Sequence, residues 1–205
     1  MRSILNIYSY FCKVKQKSED KQKRIQDALI AIVNQSGLAG VKMSGVAKKA
    51  GIAQGTVYLY FKTKSELINA TYLNLKSIAN KEIITSTLKQ KPYLEALQTL
   101  WKNYCSFLIS HKRELYFMQQ CSASDLLEEK SKKESALFIS EITSFFERGK
   151  KEGLVKDHPI ELILAVFSGI AKEIVPLCTQ NQKNKNKCTQ IIDDAFEMCW
   201  RAIRR

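Results

Sequence analysis

Throughout the 205 residues apolar side chains recur at intervals of three and four, and no stretch alternates strictly between apolar and polar. Helices with one buried stripe repeat in this way, whereas a half-buried strand repeats every two residues. The chain is therefore predicted to be all-α. Its first clear helix runs from about Lys21 to Ser36, where Ile25, Ala28, Leu29, Ile32 and Val33 share a face and Gly37 supplies a left-handed C-terminal residue. Two short helices follow. The first is capped by Ser44 and reaches about Ala50; the second runs from near Gln54 to about Tyr60, with Gly51 allowing the tight turn between them. A fourth opens at Thr63-Lys64-Ser65-Glu66, a capping box whose hydroxyl and carboxylate each satisfy a backbone N–H.

Beyond this point the predicted helices lengthen: to about Lys89, then Pro92 to about His111, Arg113 to about Ser122, Leu126 to about Gly149, Ile160 to about Leu177, and Cys188 to Ala202. Polar linkers bearing Gly or Pro separate them. Residues 1–20 read as a basic N-terminal extension, either a disordered arm or the product of an early start codon. Residues 21–66 form a small helical domain and residues 67–205 a larger one.

Charge distinguishes the two ends. Lys and Arg number 33 against 20 Asp and Glu, and residues 1–64 alone carry 12 basic and 3 acidic side chains. The front third is the part that attracts a polyanion. Six cysteines, at 12, 105, 121, 178, 188 and 199, show neither C-x-x-C nor a Cys/His ligand spacing, so no metal site is predicted and the thiols fit a reducing cytoplasm. No apolar run approaches the ~18–20 residues of a membrane helix, so no membrane partner is expected. The two histidines, His111 and His158, stand in no nucleophile, metal or phosphate-binding pattern. No catalytic residue and no cofactor are assigned, and an enzyme is the remote alternative.

Function is concentrated in Val41 to Leu67, VKMSGVAKKAGIAQGTVYLYFKTKSEL. Val46 and Ala47 face inward with Ile52 and Val57 while Gly51 forces a sharp bend, which leaves the second short helix free to enter a major groove. The segment AGIAQGTVYLYFKTKSEL resembles the DNA-binding signature of the TetR family of regulators, over about residues 21–68. That resemblance implies a three-helix helix-turn-helix domain, a larger helical ligand-binding domain, and a homodimer built on the last two helices. Gln54 and Thr56, on the leading turn of the second short helix, are the candidates for reading bases, an amide being able to bond adenine bidentately. Gly55 allows close approach to the DNA backbone, and Tyr58 and Tyr60 carry phenols long enough to reach phosphates. Lys64 sits where charge and free backbone N–H groups suit a phosphate; Lys42 and Ser44 match the family's contacts at the start of the preceding helix. Ala53 stands where the family commonly has a capping hydroxyl, so a cap worth ~1 kcal/mol is expected to be missing.

Aromatic residues at helical spacing in the larger domain are core by default, with some lining a ligand cavity. Trp101, Tyr104, Phe107, Phe117, Gln120, Cys121, Phe138 and Ile142 are the candidates. On the last two helices Phe167, Ile170, Ile174, Ile192, Phe196 and Cys199 are assigned to the dimer interface, as a four-helix arrangement. The expected partners are a palindromic double-stranded DNA operator, with half-sites roughly 34 to 36 Å apart, a small-molecule effector, and a second copy of the chain. A ligand-released repressor is the leading expectation. The alternative is a redox-sensing regulator using Cys105 or Cys121, which requires a depressed thiol pKa.

Overall fold

The computed structural model describes residues 2–85, 88, 91–180 and 184–205, with side chains from Ser18 onward except that of Phe138. Among them the regular structure is helical: α1 (Arg2–Ser36), a 3-10 turn (Leu38–Gly40), α2 (Met43–Ala50), α3 (Gln54–Tyr60), α4 (Lys64–Ile83), α5 (Tyr93–Ser110), α6 (Lys112–Ser122), α7 (Glu129–Lys151), α8 (Ile160–Gln180) and α9 (Lys185–Ile203). The all-α expectation holds.

By contacts the chain divides into two units, Met1–Tyr72 with Tyr116–Glu128, and Leu73–Leu115 with Glu129–Arg205. The division falls inside α4 rather than at residue 66, and α6 with the turn after it goes with the N-terminal unit. A linker-based boundary misses both features, because α4 runs unbroken through Tyr72 and the grouping of α6 rests on contacts between residues distant in sequence.

In the first unit α1 starts at Arg2 instead of about Lys21, so residues 2–20 extend the helix. Ile25, Ala28, Leu29 and Val33 are buried as predicted, and Ile32 is half-buried. Gly37 has the expected positive φ, 68°, but ψ is 179°, so it starts the 3-10 turn rather than closing α1 in a left-handed helical residue. Lys42, not Ser44, occupies the N-cap of α2: its backbone is extended, its carbonyl accepts from Val46 N–H at 3.0 Å, and Ser44 falls inside the first turn.

In the second unit the core gathers side chains of α5, α7, α8 and α9, among them Leu97, Trp101, Phe146, Ile163, Phe167 and Phe196. The Trp101 ring meets Phe167 edge-on at 5.2 Å, and its indole N–H donates to the Ile192 carbonyl at 2.9 Å. Two helix ends differ from expectation. α4 stops at Ile83, short of Lys89, and α8 continues through Pro176 to Gln180. A proline inside a helix removes one N–H bond, but Ile174 and Cys178 on either side are buried, and that packing carries α8 past the breaker. Asn184 caps α9 by accepting from Lys187 N–H at 3.1 Å, starting it before Cys188. At its far end Lys156 N–H bonds the Ile203 carbonyl at 2.9 Å and Lys156 Nζ the Ala202 carbonyl at 2.9 Å, which fixes the C-terminus to the linker before α8.

α8 also corrects the statement on apolar runs: by length and composition it could cross a bilayer. Lys172 and Glu173 interrupt it, and Ile163, Phe167, Ala171, Ile174 and Cys178 form a stripe buried inside the unit.

Candidate nucleic-acid interface

The turn between α2 and α3 is set by Gly51, with φ 65° and ψ 41°. A side chain at this left-handed position costs roughly 1–2 kcal/mol, which glycine avoids. Gly51 N–H bonds the Lys48 carbonyl at 3.2 Å and Ile52 N–H bonds the Ala47 carbonyl at 3.1 Å, the paired bonds of a Schellman motif. The next two carbonyls are held from outside the motif: Arg24 Nη2 on α1 donates to Ala50 O at 2.5 Å and Gly51 O at 3.1 Å. A cation at a helix C-terminus also opposes the negative end of its dipole. Sequence reasoning passed over Arg24. Its one available sign was its place immediately before Ile25, on a helix predicted to pack against the turn.

Val46, Ala47, Val57 and Phe61 fill the small core under this turn, while Ile52 is half-buried at its edge. With Val57 fixed inward, the opposite face of α3 is turned to solvent. Gln54 and Gly55 are exposed, Thr56 half-buried, Tyr58 40% exposed and Tyr60 half-buried. Gly55 has open space around the position a Cβ would take. Lys42 and Ser44 are exposed at the start of α2, and Lys48 and Lys49 at its end. The N-cap of α3 is Ala53, with no side-chain bond to the helix, so the expected missing cap is present as a fact of the structure. α4 is capped more securely. Thr63 Oγ1 accepts from Glu66 N–H at 3.0 Å, and the Glu66 carboxylate reaches back to Lys62 N–H at 2.6 Å, one residue earlier than in the usual box. Lys64 is half-buried, as Thr56 and Tyr60 are, but its ammonium donates to the Leu38 carbonyl at 3.1 Å. One of its three donors thus stitches the 3-10 turn to α4.

A bacterial regulatory protein model, tetR family, matches residues 25–71, and a second, Tetracyclin repressor-like, C-terminal domain, matches residues 92–204. The chain belongs to the tetR family. The second match alone takes in more than half of its length. An HTH-type transcriptional regulator of Haemophilus influenzae is 32% identical over 95 residues, 46% of this chain and 51% of that protein, so the match spans about half the length of that relative. Among solved structures, a TetR family transcription regulator from Marinobacter aquaeolei has a TM-score of 0.81 at 19% identity, covering 93% of this chain and 98% of that one. The transcriptional regulator FadR from Bacillus subtilis, solved in complex with stearoyl-CoA, has a TM-score of 0.64 at 18% identity over 86% and 96%. These structural likenesses establish the TetR fold. The names are those of transcription regulators, not of enzymes.

The predicted ligand residues divide between the two units. Trp101 and Phe107 are buried and Tyr104 half-buried in the second unit, and Tyr104 stacks on Phe167 at 5.9 Å and Phe107 on His111 at 4.5 Å. Phe117, Gln120 and Cys121 belong to the first unit, and the Phe138 side chain lies outside the described residues. Ile142 lines a cavity of the second unit, together with Arg148, which was not predicted. A sign was available in Arg148 itself, a charged residue three positions after Phe145 on an apolar helical stripe. The redox alternative meets the opposite of its requirement: burial pushes the Cys105 and Cys121 thiols up to about 12.

The dimer assignment also needs correction. Phe167, Ile174, Phe196 and Cys199 are buried inside one subunit, and Ile170 and Ile192 are half-buried. Large apolar side chains on paired helices serve the intramolecular core first. What α8 and α9 leave outside is Leu162 at 52%, Leu177 at 48% and Met198 at 68% exposure.

Proposed function

We propose that this TetR-family protein is a cytoplasmic repressor that binds a palindromic operator as a homodimer and leaves it when a small molecule occupies the larger unit. The observation that carries this reading is the α3 surface: Val57 buries one face while Gln54 and Gly55 stand exposed at the leading turn, with Thr56 and Tyr58 beside them. In this reading Gln54 and Thr56 read bases, Tyr58 and Tyr60 position the helix against phosphates, and Lys42 and Ser44 add backbone contacts. Lys64 keeps one N–H on the Leu38 carbonyl and offers its remaining donors to a phosphate at the start of α4.

Dimerisation supports recognition, since two symmetric heads meet two half-sites. Leu162, Leu177 and Met198 are the exposed apolar residues suited to it. Release requires only that the ligand bind more tightly to the form that fits DNA less well. The stearoyl-CoA complex of the Bacillus subtilis neighbour supports ligand binding as a use of this fold.

Fluorescence anisotropy against DNA from upstream of the protein's own gene, with scrambled competitor and a salt series, tests the proposal. Binding that survives competitor is the expected result. Equal binding to both DNAs would reduce the interaction to its charge-driven part and overturn the operator reading.

A further inference from the structure

Within the unit Leu73–Leu115 with Glu129–Arg205, a cavity of about 380 Å³ lies along α7, a volume within the roughly 300–1,000 Å³ of small-molecule sites. Ile84, Leu88, Leu100, Ile142 and Phe145 make its lining mainly apolar. Among the described residues of that lining Arg148 is the one cation. Its guanidinium lies over the Tyr93 ring at 5.4 Å and the Phe145 ring at 5.2 Å, an arrangement that fixes its plane.

The donors of Arg148 are poorly used. Nη1 reaches the Leu88 carbonyl at 3.5 Å, and Nε forms an ion pair with the Glu152 carboxylate at 3.5 Å that lacks hydrogen-bond geometry. Nε and Nη2 are buried and have no hydrogen-bond partner among the described residues. A buried N–H left without an acceptor keeps the cost of its lost hydration. A planar oxyanion accepting from the guanidinium fork relieves that cost, and the fork matches a carboxylate better than a point charge does.

Glu141 lines the same cavity on the same face of α7, seven residues before Arg148. At 1.5 Å per residue the separation along the helix is about 10 Å. A second acid group at that end meets a like charge. Ser140 and Ser144 stand near it and add hydroxyls without charge.

We propose that this cavity binds an organic monoanion with an apolar body, its carboxylate on Arg148 and its chain against Ile84, Leu88, Leu100 and Phe145, with Glu141 selecting against diacids. The proposal rests on the ligand-sensing reading above for its consequence and on the cavity for its chemistry.

Isothermal titration of the full chain with decanoate, decanedioate, decylamine and 1-decanol, each below its aggregation concentration, tests it. Decanoate should bind and decanedioate should bind at least tenfold more weakly. Arg148→Met should weaken decanoate at least tenfold while leaving 1-decanol unchanged, with circular dichroism reporting whether the variant folds. Glu141→Gln alters an exposed residue, and it should strengthen decanedioate at least threefold. The proposal is overturned if decanoate does not bind, if 1-decanol or decylamine binds as tightly, or if neither substitution changes the order. Adding the same compounds to a protein–DNA complex separates this inference from the one it rests on. Decanoate that binds without releasing DNA sinks ligand release and leaves the acid site intact, whereas release by another compound with no decanoate binding does the reverse.

Discussion

Asn69 on α4 holds the backbone just before α7 by both ends of its carboxamide: Oδ1 accepts from Glu128 N–H at 2.9 Å and Nδ2 donates to the Leu126 carbonyl at 3.0 Å. Nδ2 also reaches Ser65 O at 3.0 Å and Ser65 Oγ at 3.2 Å, and the Ser65 hydroxyl bonds the Glu128 carboxylate at 3.0 Å. The network ties the Tyr116–Glu128 segment to the first unit at the helix that follows α3. Asn69 is 5% exposed, so water does not readily replace these partners. Asn69→Ala should cost about 2 kcal/mol, within the range for orphaning buried polar groups, measured as the denaturant midpoint. Amide exchange at Glu128 should quicken in the same variant.

Arg24→Ala should destabilise the helix-turn-helix by about 1–2 kcal/mol, since it frees the Ala50 and Gly51 carbonyls together and removes a cation from a helix C-terminus. Arg24→Lys should recover only part of this, because one ammonium on a flexible stem lacks the guanidinium's planar fork. Thermal unfolding of the full chain reads both.

Placing a hydroxyl at the uncapped start of α3 reverses the local defect. Ala53→Ser should add about 1 kcal/mol, because the serine oxygen can accept an N–H of the first turn. An unchanged melting temperature in Ala53→Ser would show that DNA-free α3 does not use the cap.

DNA variants should separate into two classes. Gln54→Ala should weaken the operator complex by about 1–3 kcal/mol while leaving its salt slope intact, as expected for a base contact. Lys42→Ala should weaken binding on every sequence and lower the salt slope by about one. Anisotropy over a salt series distinguishes the two.

The proposed dimer surface is tested by contrast. Met198→Glu and Leu162→Glu should shift the chain toward monomer in light scattering without unfolding it, since both side chains are exposed in one subunit. Phe196→Glu should instead abolish folding, because it places a charge among Trp101 and the α8 core.

Alkaline pH should destabilise the fold through its buried thiols. Burial raises Cys105 and Cys121 from 9.0 to about 12 and Cys199 to about 11, so the folded state keeps protons that the unfolded chain loses. Stability from these groups is fully present below about pH 9 and is lost as pH rises toward 11–12. Denaturant titrations at pH 8 and pH 10.5 should show the fall, and Cys105→Ala with Cys121→Ala should reduce its pH dependence.

The helix-turn-helix was legible in the sequence because its determinants are local. Gly51, the Val46/Val57 core and the Thr63–Glu66 cap lie within one short stretch, and each makes its bonds to near neighbours. The larger unit was legible only as a set of helices. Trp101, Phe167 and Phe196 have the same apolar spacing that a pocket or interface residue would have, and only their mutual packing makes them core.

By itself the sequence determined the all-helical class, the turn geometry at Gly51, the unfilled cap at Ala53 and the family signature across Val41 to Leu67. Tertiary structure alone decided which apolar stripes of α8 and α9 face inward, that α6 and its following turn belong with the N-terminal unit, and that Arg24 and Arg148 carry donors into the places described. The physical reason is range. Backbone propensity, capping and turn chemistry act over a few residues, whereas burial and hydrogen bonding between distant helices depend on which surfaces meet.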